Sequence, residues 1–329
     1  MASIDLPLEE LVRYRPAVQE PDDFDDFWQR TLAKARASDI DVRSEVVDAP
    51  FRTVTVHDVR FRGYAGDEIS AWLTTPRGID GPLPAVVEYV GYNGGRDLPG
   101  ASLWWASAGY AHLLMDSRGQ GGGWGGGGDT ADPHGSGPSA PGVMTRGIED
   151  PDTYYYRRLM TDAVRAVDAV RSLPDVAVES VSVQGVSQGG GLALSVAGLV
   201  PDLVAVMPDV PFLCHYRRAL ELTDRQPYEE IRRYLSVRRK TVDQVFATLS
   251  YFDGVNFAKR AGAPAYFSVA LQDLTCPPST VYAAFNHYAG EKEVVVYPFN
   301  DHEGGLSHQK LAQIAWLNDS RGASGLLTH

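Results

Sequence analysis

The chain has 329 residues, 44% of them hydrophobic, and a formal net charge of −12. That charge is spread along the sequence rather than gathered in a tail, which argues against nucleic acid or an anionic membrane as a partner. No stretch approaches the roughly 20 apolar residues of a membrane span, and the N-terminus has neither a basic n-region nor an apolar h-region. A cytoplasmic α/β protein with one folded domain over residues 1–329 is expected. Its two cysteines, Cys214 and Cys276, lack metal-ligand spacing and read as reduced, partly buried thiols.

Residues 21–37 (PDDFDDFWQRTLAKARA) predict a helix with an acidic start and a basic end, carrying Phe24, Phe27 and Trp28 on one side. Residues 53–61 alternate as a half-buried strand does, and 69–75 follow across Gly66-Asp67-Glu68 as its hairpin partner. Together these form an N-terminal helix-and-strand extension over about 1–80. The apolar runs 85–90 and 111–115 suit interior strands of a parallel sheet, with a glycine-ended helix at 102–109 between them. Residues 119–142 hold 11 of the 33 glycines. Strands and helices resume unchanged beyond this stretch, so it reads as a long loop rather than a linker. No Gly-Lys-Ser/Thr follows to make it a phosphate loop. Residues 154–173 then predict a helix whose apolar stripe is Leu159, Ala163, Ala166, Val167 and Val170.

A short buried strand at 181–184 runs into Gly185-Val186-Ser187-Gln188-Gly189, and a small-residue helix follows over 189–197. This context makes the pentapeptide a nucleophile elbow. Glycines flank the serine because the turn leaves no room for side chains, and the turn lifts Ser187 Oγ above the sheet. A strand at 203–207 comes next. The stretch of about 211–262 then reads as a helical insertion with amphipathic segments at 216–222, 228–234, 242–249 and 256–260. Strands return at 265–271 and 293–297 around a helix at 278–287, and 308–318 predict a final helix. The whole is the α/β-hydrolase arrangement: a mostly parallel central sheet flanked by helices, with a helical insertion after the strand that follows the elbow.

A serine hydroxyl needs an adjacent base, itself oriented by a carboxylate. In this fold they come in the order Ser, Asp, His, from loops after later strands. Asp273 follows strand 265–271 and His302 follows strand 293–297, so Ser187, Asp273 and His302 are the candidate catalytic residues. Asp301 competes with Asp273, but adjoins His302 too closely for their side chains to face one another. Asp273 could also serve only to cap the next helix. Of the other histidines, His57 and His112 sit in or beside strands, and His287 near a helix end. His134, His215 and His329 lack a strand-end context, and His308 lies further into the final helix. Oxyanion stabilisation requires two backbone N–H groups. Gln188, directly after the serine, supplies one, and the loop Gly91-Tyr92-Asn93-Gly94-Gly95 occupies the place of the other.

Three signatures stand in order: Arg118-Gly119-Gln120, Gly185-Val186-Ser187-Gln188-Gly189-Gly190 and His302-Glu303. Longer stretches accompany them: Gly142-Val143-Met144-Thr145-Arg146-Gly147-Ile148, Tyr154-Tyr155-Tyr156-Arg157, and Asp273-Leu274-Thr275-Cys276-Pro277-Pro278-Ser279-Thr280. On these the chain resembles, over nearly its whole length, the acetyl xylan esterase/cephalosporin C deacetylase family of carbohydrate esterases. The resemblance implies a serine esterase that deacetylates small acetylated carbohydrates, xylo-oligosaccharides among them, and cephalosporin C, without cofactor or metal. It places the triad on Ser187, Asp273 and His302 and the oxyanion donors on Tyr92 and Gln188. It also implies that Tyr92, Trp105, Phe212 and Pro227 narrow the acyl pocket, and that six copies close into a cytoplasmic hexamer. The glycine run after Gln120 looks longer than the family's. The competing readings are another hydrolase of this fold, such as a peptidase, and a non-catalytic binding protein. The latter typically loses a triad member.

Overall fold

The apolar runs become the strands of one twisted sheet. The computed structural model describes residues 4–79, 81–135 and 137–320. In chain order its elements are α1 (Leu8–Leu11), α2 (Phe24–Arg36), β1 (Arg43–Val46), β2 (Val54–Arg62), β3 (Glu68–Pro76), β4 (Leu83–Tyr89), α3 (Trp104–Ser107) and β5 (Ala111–Met115). There follow α4 (Tyr155–Arg171), β6 (Val176–Val186), α5 (Gln188–Leu199), β7 (Ala205–Asp209), α6 (Tyr216–Leu222), α7 (Tyr228–Val237), α8 (Val242–Ser250) and α9 (Gly254–Ala258). The chain continues through β8 (Ala265–Ala270), α10 (Pro278–His287), β9 (Lys292–Tyr297) and α11 (Leu306–Ser320). Among the described residues the nine strands run in the order β1-β2-β3-β5-β4-β6-β7-β8-β9. The first three and their junction with β5 are antiparallel, and every pairing from β5 to β9 is parallel. This is the α/β-hydrolase fold.

Alternation along the strands sorts the core into two layers. Val87, Val183 and Val206 face α4 and α5, whereas Val86 and Met207 face Trp105, Tyr110 and Leu317 of the opposite layer. Helix α5 is apolar and small, and ten of its residues are buried. Helix α2 packs Phe24, Phe27 and Trp28 inward, edge to face with Phe252 and Phe257. This anchors the N-terminal extension to the helices between β7 and β8. Among the described residues no helix is long and apolar enough to cross a membrane.

Two clusters of charge tie the glycine-rich loop to this frame. Arg118, wholly buried, grips Asp162 with Nε and Nη2 at 2.5 and 2.8 Å and reaches Asp67 at 2.8 Å. Asp116 accepts the N–H groups of Arg96 and Ser117 on one carboxylate oxygen and those of Asp129 and Thr130 on the other. The loop is thereby closed at its base. Removing one partner of a buried ion pair strands the other charge, so Arg118→Met is expected to lower stability by about 3–5 kcal/mol. Urea unfolding reads this directly, and an unchanged midpoint would contradict it.

Candidate active site

Strand β6 delivers Ser187 to the carboxyl rim of the sheet in a left-handed conformation, φ 57° and ψ −118°. A non-glycine residue there stores about 1–3 kcal/mol of strain, and the surroundings hold it. Ser187 N–H donates to Asp209 O at 3.0 Å, and Ser187 O accepts from Gly191 and Phe212 N–H at 3.0 and 2.9 Å. The flanking glycines are required by close approach. A Cβ on Gly185 would lie 2.2 Å from the Gly189 carbonyl carbon, and one on Gly189 2.0 Å from Tyr89 O. Strand β6, α5 and the end of β4 meet backbone to backbone at this point.

The loops after β8 and β9 bring Asp273 and His302 to the serine. His302 Nε2 stands 2.9 Å from Ser187 Oγ, and its Nδ1 stands 2.8 Å from Asp273 Oδ2. A carboxylate can only accept, so Nδ1 carries the proton and Nε2 is left to accept from the serine hydroxyl. Asp273 is wholly buried, with its second oxygen filled by the N–H groups of Thr275 and Cys276 at 2.7 and 2.8 Å. Asp301 has different work. It pairs with Arg225 at 2.7 Å and accepts the N–H groups of His302 and Leu274, which staples the loop. His134, His215, His112, His57 and His287 hold partners elsewhere, His308 is exposed, and His329 lies outside the described residues.

Gln188 is the first residue of α5, and its N–H, like that of Tyr92, meets no acceptor among the described residues. Both segments are fixed by side chains. Tyr92 Oη donates to Glu230 Oε1 at 2.5 Å and accepts from Val143 N–H at 2.9 Å, while the other oxygen of Glu230 takes Met144 N–H at 3.0 Å. Trp124 Nε1 donates to Tyr92 O at 2.7 Å. Gln120 joins the two segments: its oxygen accepts Asn93 N–H at 2.7 Å, and its nitrogen donates to Gln188 Oε1 at 3.0 Å and to Tyr155 Oη at 2.8 Å. Burial pushes the Glu230 carboxyl up from its ordinary value, and burial together with Glu230 pushes the Tyr92 phenol up. Glu230 and Trp124 were not singled out as site residues from sequence. Glu230 belongs to an amphipathic helix with Glu229 beside it, and nothing local marks one of the two as buried.

A cavity of about 720 Å³ opens over the serine, bordered by Tyr92, Trp124, Ser187, Pro227, Glu230 and His302 among others. Of the four expected pocket residues, Tyr92 and Pro227 border it. Trp105 does not. It is wholly buried in the opposite layer of the sheet, against Tyr110, with Lys310 Nζ 5.3 Å above its ring. Phe212 also stays out of the cavity: its N–H is bound to Ser187 O and its ring packs 4.3 Å from Tyr228. Donor atoms of Asp273, Cys276 and His302 lie within 4.8 Å of one another and could hold a metal ion. However, Asp273 and His302 already bond each other, and burial raises the Cys276 thiol, which keeps it protonated and a poor ligand.

The family model described as acetyl xylan esterase matches residues 1–320. Acetyl esterase Axe7A of Xylanibacter ruminicola is 30% identical over 323 residues, covering 92% of this chain and 68% of that protein. The acetyl xylan esterase from Paenibacillus sp. R4 superposes with a TM-score of 0.90 at 40% identity, covering 95% of this chain and 99% of that one. Acetyl xylan esterase 1 from Thermoanaerobacterium sp. JW/SL YS485 gives 0.87 at 32% identity over the same shares. An acylaminoacyl peptidase of Pyrococcus horikoshii, at 15% identity and a TM-score of 0.57 over 82% of this chain and 41% of that one, shares the fold alone.

Proposed function

Because the chain belongs to the acetyl xylan esterase family and is a carboxylic ester hydrolase, we propose that it removes acetyl groups from small acetylated xylo-oligosaccharides through an acyl-enzyme on Ser187. The observation that carries this reading is the unbroken line Ser187–His302–Asp273 at the mouth of the cavity. Ser187 Oγ attacks the acetyl carbonyl as His302 Nε2 takes its proton, and Asp273 steadies the imidazolium. The N–H groups of Tyr92 and Gln188 receive the developing oxyanion. His302 then gives that proton to the sugar oxygen as the acyl C–O bond breaks, and the sugar leaves as its hydroxyl. A water activated by the same imidazole attacks the acetyl-serine, releasing acetate and returning the proton to Ser187 Oγ. Acetate release from acetylated xylo-oligosaccharides, with fluorophosphonate labelling lost in Ser187→Ala, tests this reading. An enzyme that cleaves acylated peptides and leaves these esters intact would refute it.

The same chemistry extends to cephalosporin C, whose acetyl ester hangs from a bicyclic core on a freely turning methylene. Short acyl chains are preferred in this reading because Tyr92 and Pro227 are rigid neighbours of the serine, the former held by Glu230 and Val143. Forcing extra methylenes against such walls costs about 1–3 kcal/mol, so acetate esters should exceed butyrate esters in kcat/KM by roughly 5- to 150-fold. Equal rates for 4-nitrophenyl acetate and butyrate would count against it. A closed cytoplasmic hexamer accompanies this proposal, and light scattering reads its mass.

A further inference from the structure

Trp124 is an exposed aromatic that the proposed chemistry does not use. It is 54% exposed, yet it is not loose. Its Nε1 donates to Tyr92 O, and its ring lies so close to the Tyr92 loop that a Cβ on Gly94 would sit 2.2 Å from it. The ring borders the cavity that holds Ser187 and His302. Val186, 39% exposed, borders the same opening and adds a second apolar surface beside the serine. Asn93, also exposed, and Arg233, whose side chain is 64% exposed, bring polar N–H groups to that opening. An indole kept in place at an open cavity is a flat, preorganised face, and an apolar surface with polar groups at its edge matches a pyranose, whose C–H groups gather on one side while its hydroxyls point outward from the ring.

We propose that Trp124 is the platform on which the sugar ring of the ester stacks, with Asn93 and Arg233 meeting its hydroxyls. This rests on the acetylated-carbohydrate reading above and adds the side chain that tells a sugar ester from a simple one. Stacking orders the leaving group, and Trp124 touches neither the acetyl carbon nor the transferred proton, so its contribution falls on KM.

The test compares acetylated xylotriose with ethyl acetate, whose leaving group has no ring, in the wild type, Trp124→Ala and Trp124→Phe. The ratio of the two kcat/KM values cancels any general slackening of the Tyr92 loop. In Trp124→Ala the ratio falls about 10-fold or more, through the KM for the sugar ester, and in Trp124→Phe most of it is retained. Equal losses on both substrates would reduce Trp124 to a support for the Tyr92 loop and overturn the platform, as would a ratio that does not change. A wild-type enzyme that turns over ethyl acetate but not acetylated xylotriose would instead sink the carbohydrate reading itself, and the platform with it.

Discussion

Replacing Ser187 by alanine is expected to lower kcat on acetate esters by roughly 10⁶-fold, because the residues of such a unit act together and the oxyanion donors alone retain little acceleration. The fold should survive. Alanine at φ 57° carries the same backbone strain as serine, and the three backbone hydrogen bonds that hold the turn do not involve the side chain. His302→Ala should fall to a similar level, and the double variant should be little worse than either single one. Thermal unfolding and steady-state rates measured on the same preparations decide the matter. A kcat near the wild-type value, or losses that simply multiply in the double variant, would mean that Ser187 and His302 are not one catalytic unit.

Asp273→Asn carries the second large effect, roughly 10⁴-fold in kcat, and the geometry gives the reason. The N–H groups of Thr275 and Cys276 both point at Oδ1, so only the amide oxygen of asparagine can stand there. Its NH₂ is then turned to His302 Nδ1, which must become an acceptor. The ring proton moves to Nε2, the atom that faces Ser187 Oγ, and the imidazole can no longer take the serine proton. Asp301→Asn removes instead the pairing to Arg225 at the molecular surface, which is worth about 0–1 kcal/mol. Its kcat should stay within a few-fold of wild type. If the two substitutions exchanged their effects, Asp301 rather than Asp273 would be the orienting acid.

These two aspartates show what a sequence can and cannot convey. Strand ends were legible from apolar runs and their order, so the rim positions of Asp273 and His302 followed from β8 and β9 alone. The elbow was legible because glycine spacing and a small-residue helix record a close approach of backbone. Strand β1 was not, because Arg43-Ser-Glu-Val is an exposed edge with no buried face to impose alternation. The family resemblance implies a pocket role for Trp105, whereas the structure buries it in the opposite layer, and the local sequence holds no signal of that. Trp104 and Trp105 stand side by side in a single helical turn, and only the packing of that turn decides that the first is 41% exposed and the second buried under the far layer. Gln120 stands in the Arg118-Gly119-Gln120 signature, but its joining role, like that of Glu230, was hidden more deeply. Each works by joining segments distant in sequence: Gln120 ties residue 93 to residue 188, and Glu230 ties residue 92 to residue 144. Local pattern holds no record of such meetings.

The staple at Asp116 has a consequence for how such an enzyme changes over generations. Because it fastens residues 96, 117, 129 and 130 to one carboxylate, the stretch between is a loop whose ends are already joined. Doubling the length of a flexible loop costs only about 0.6 kcal/mol of closure entropy. Insertions and deletions within the glycine run can therefore accumulate at small cost to folding, while the serine, histidine and aspartate stay where the sheet puts them. The same stretch carries the cavity wall at Gly123 and Trp124. Substrate range can drift there, in length as well as in side chain, and such a change reaches the serine's surroundings through the Trp124 bond to Tyr92 O.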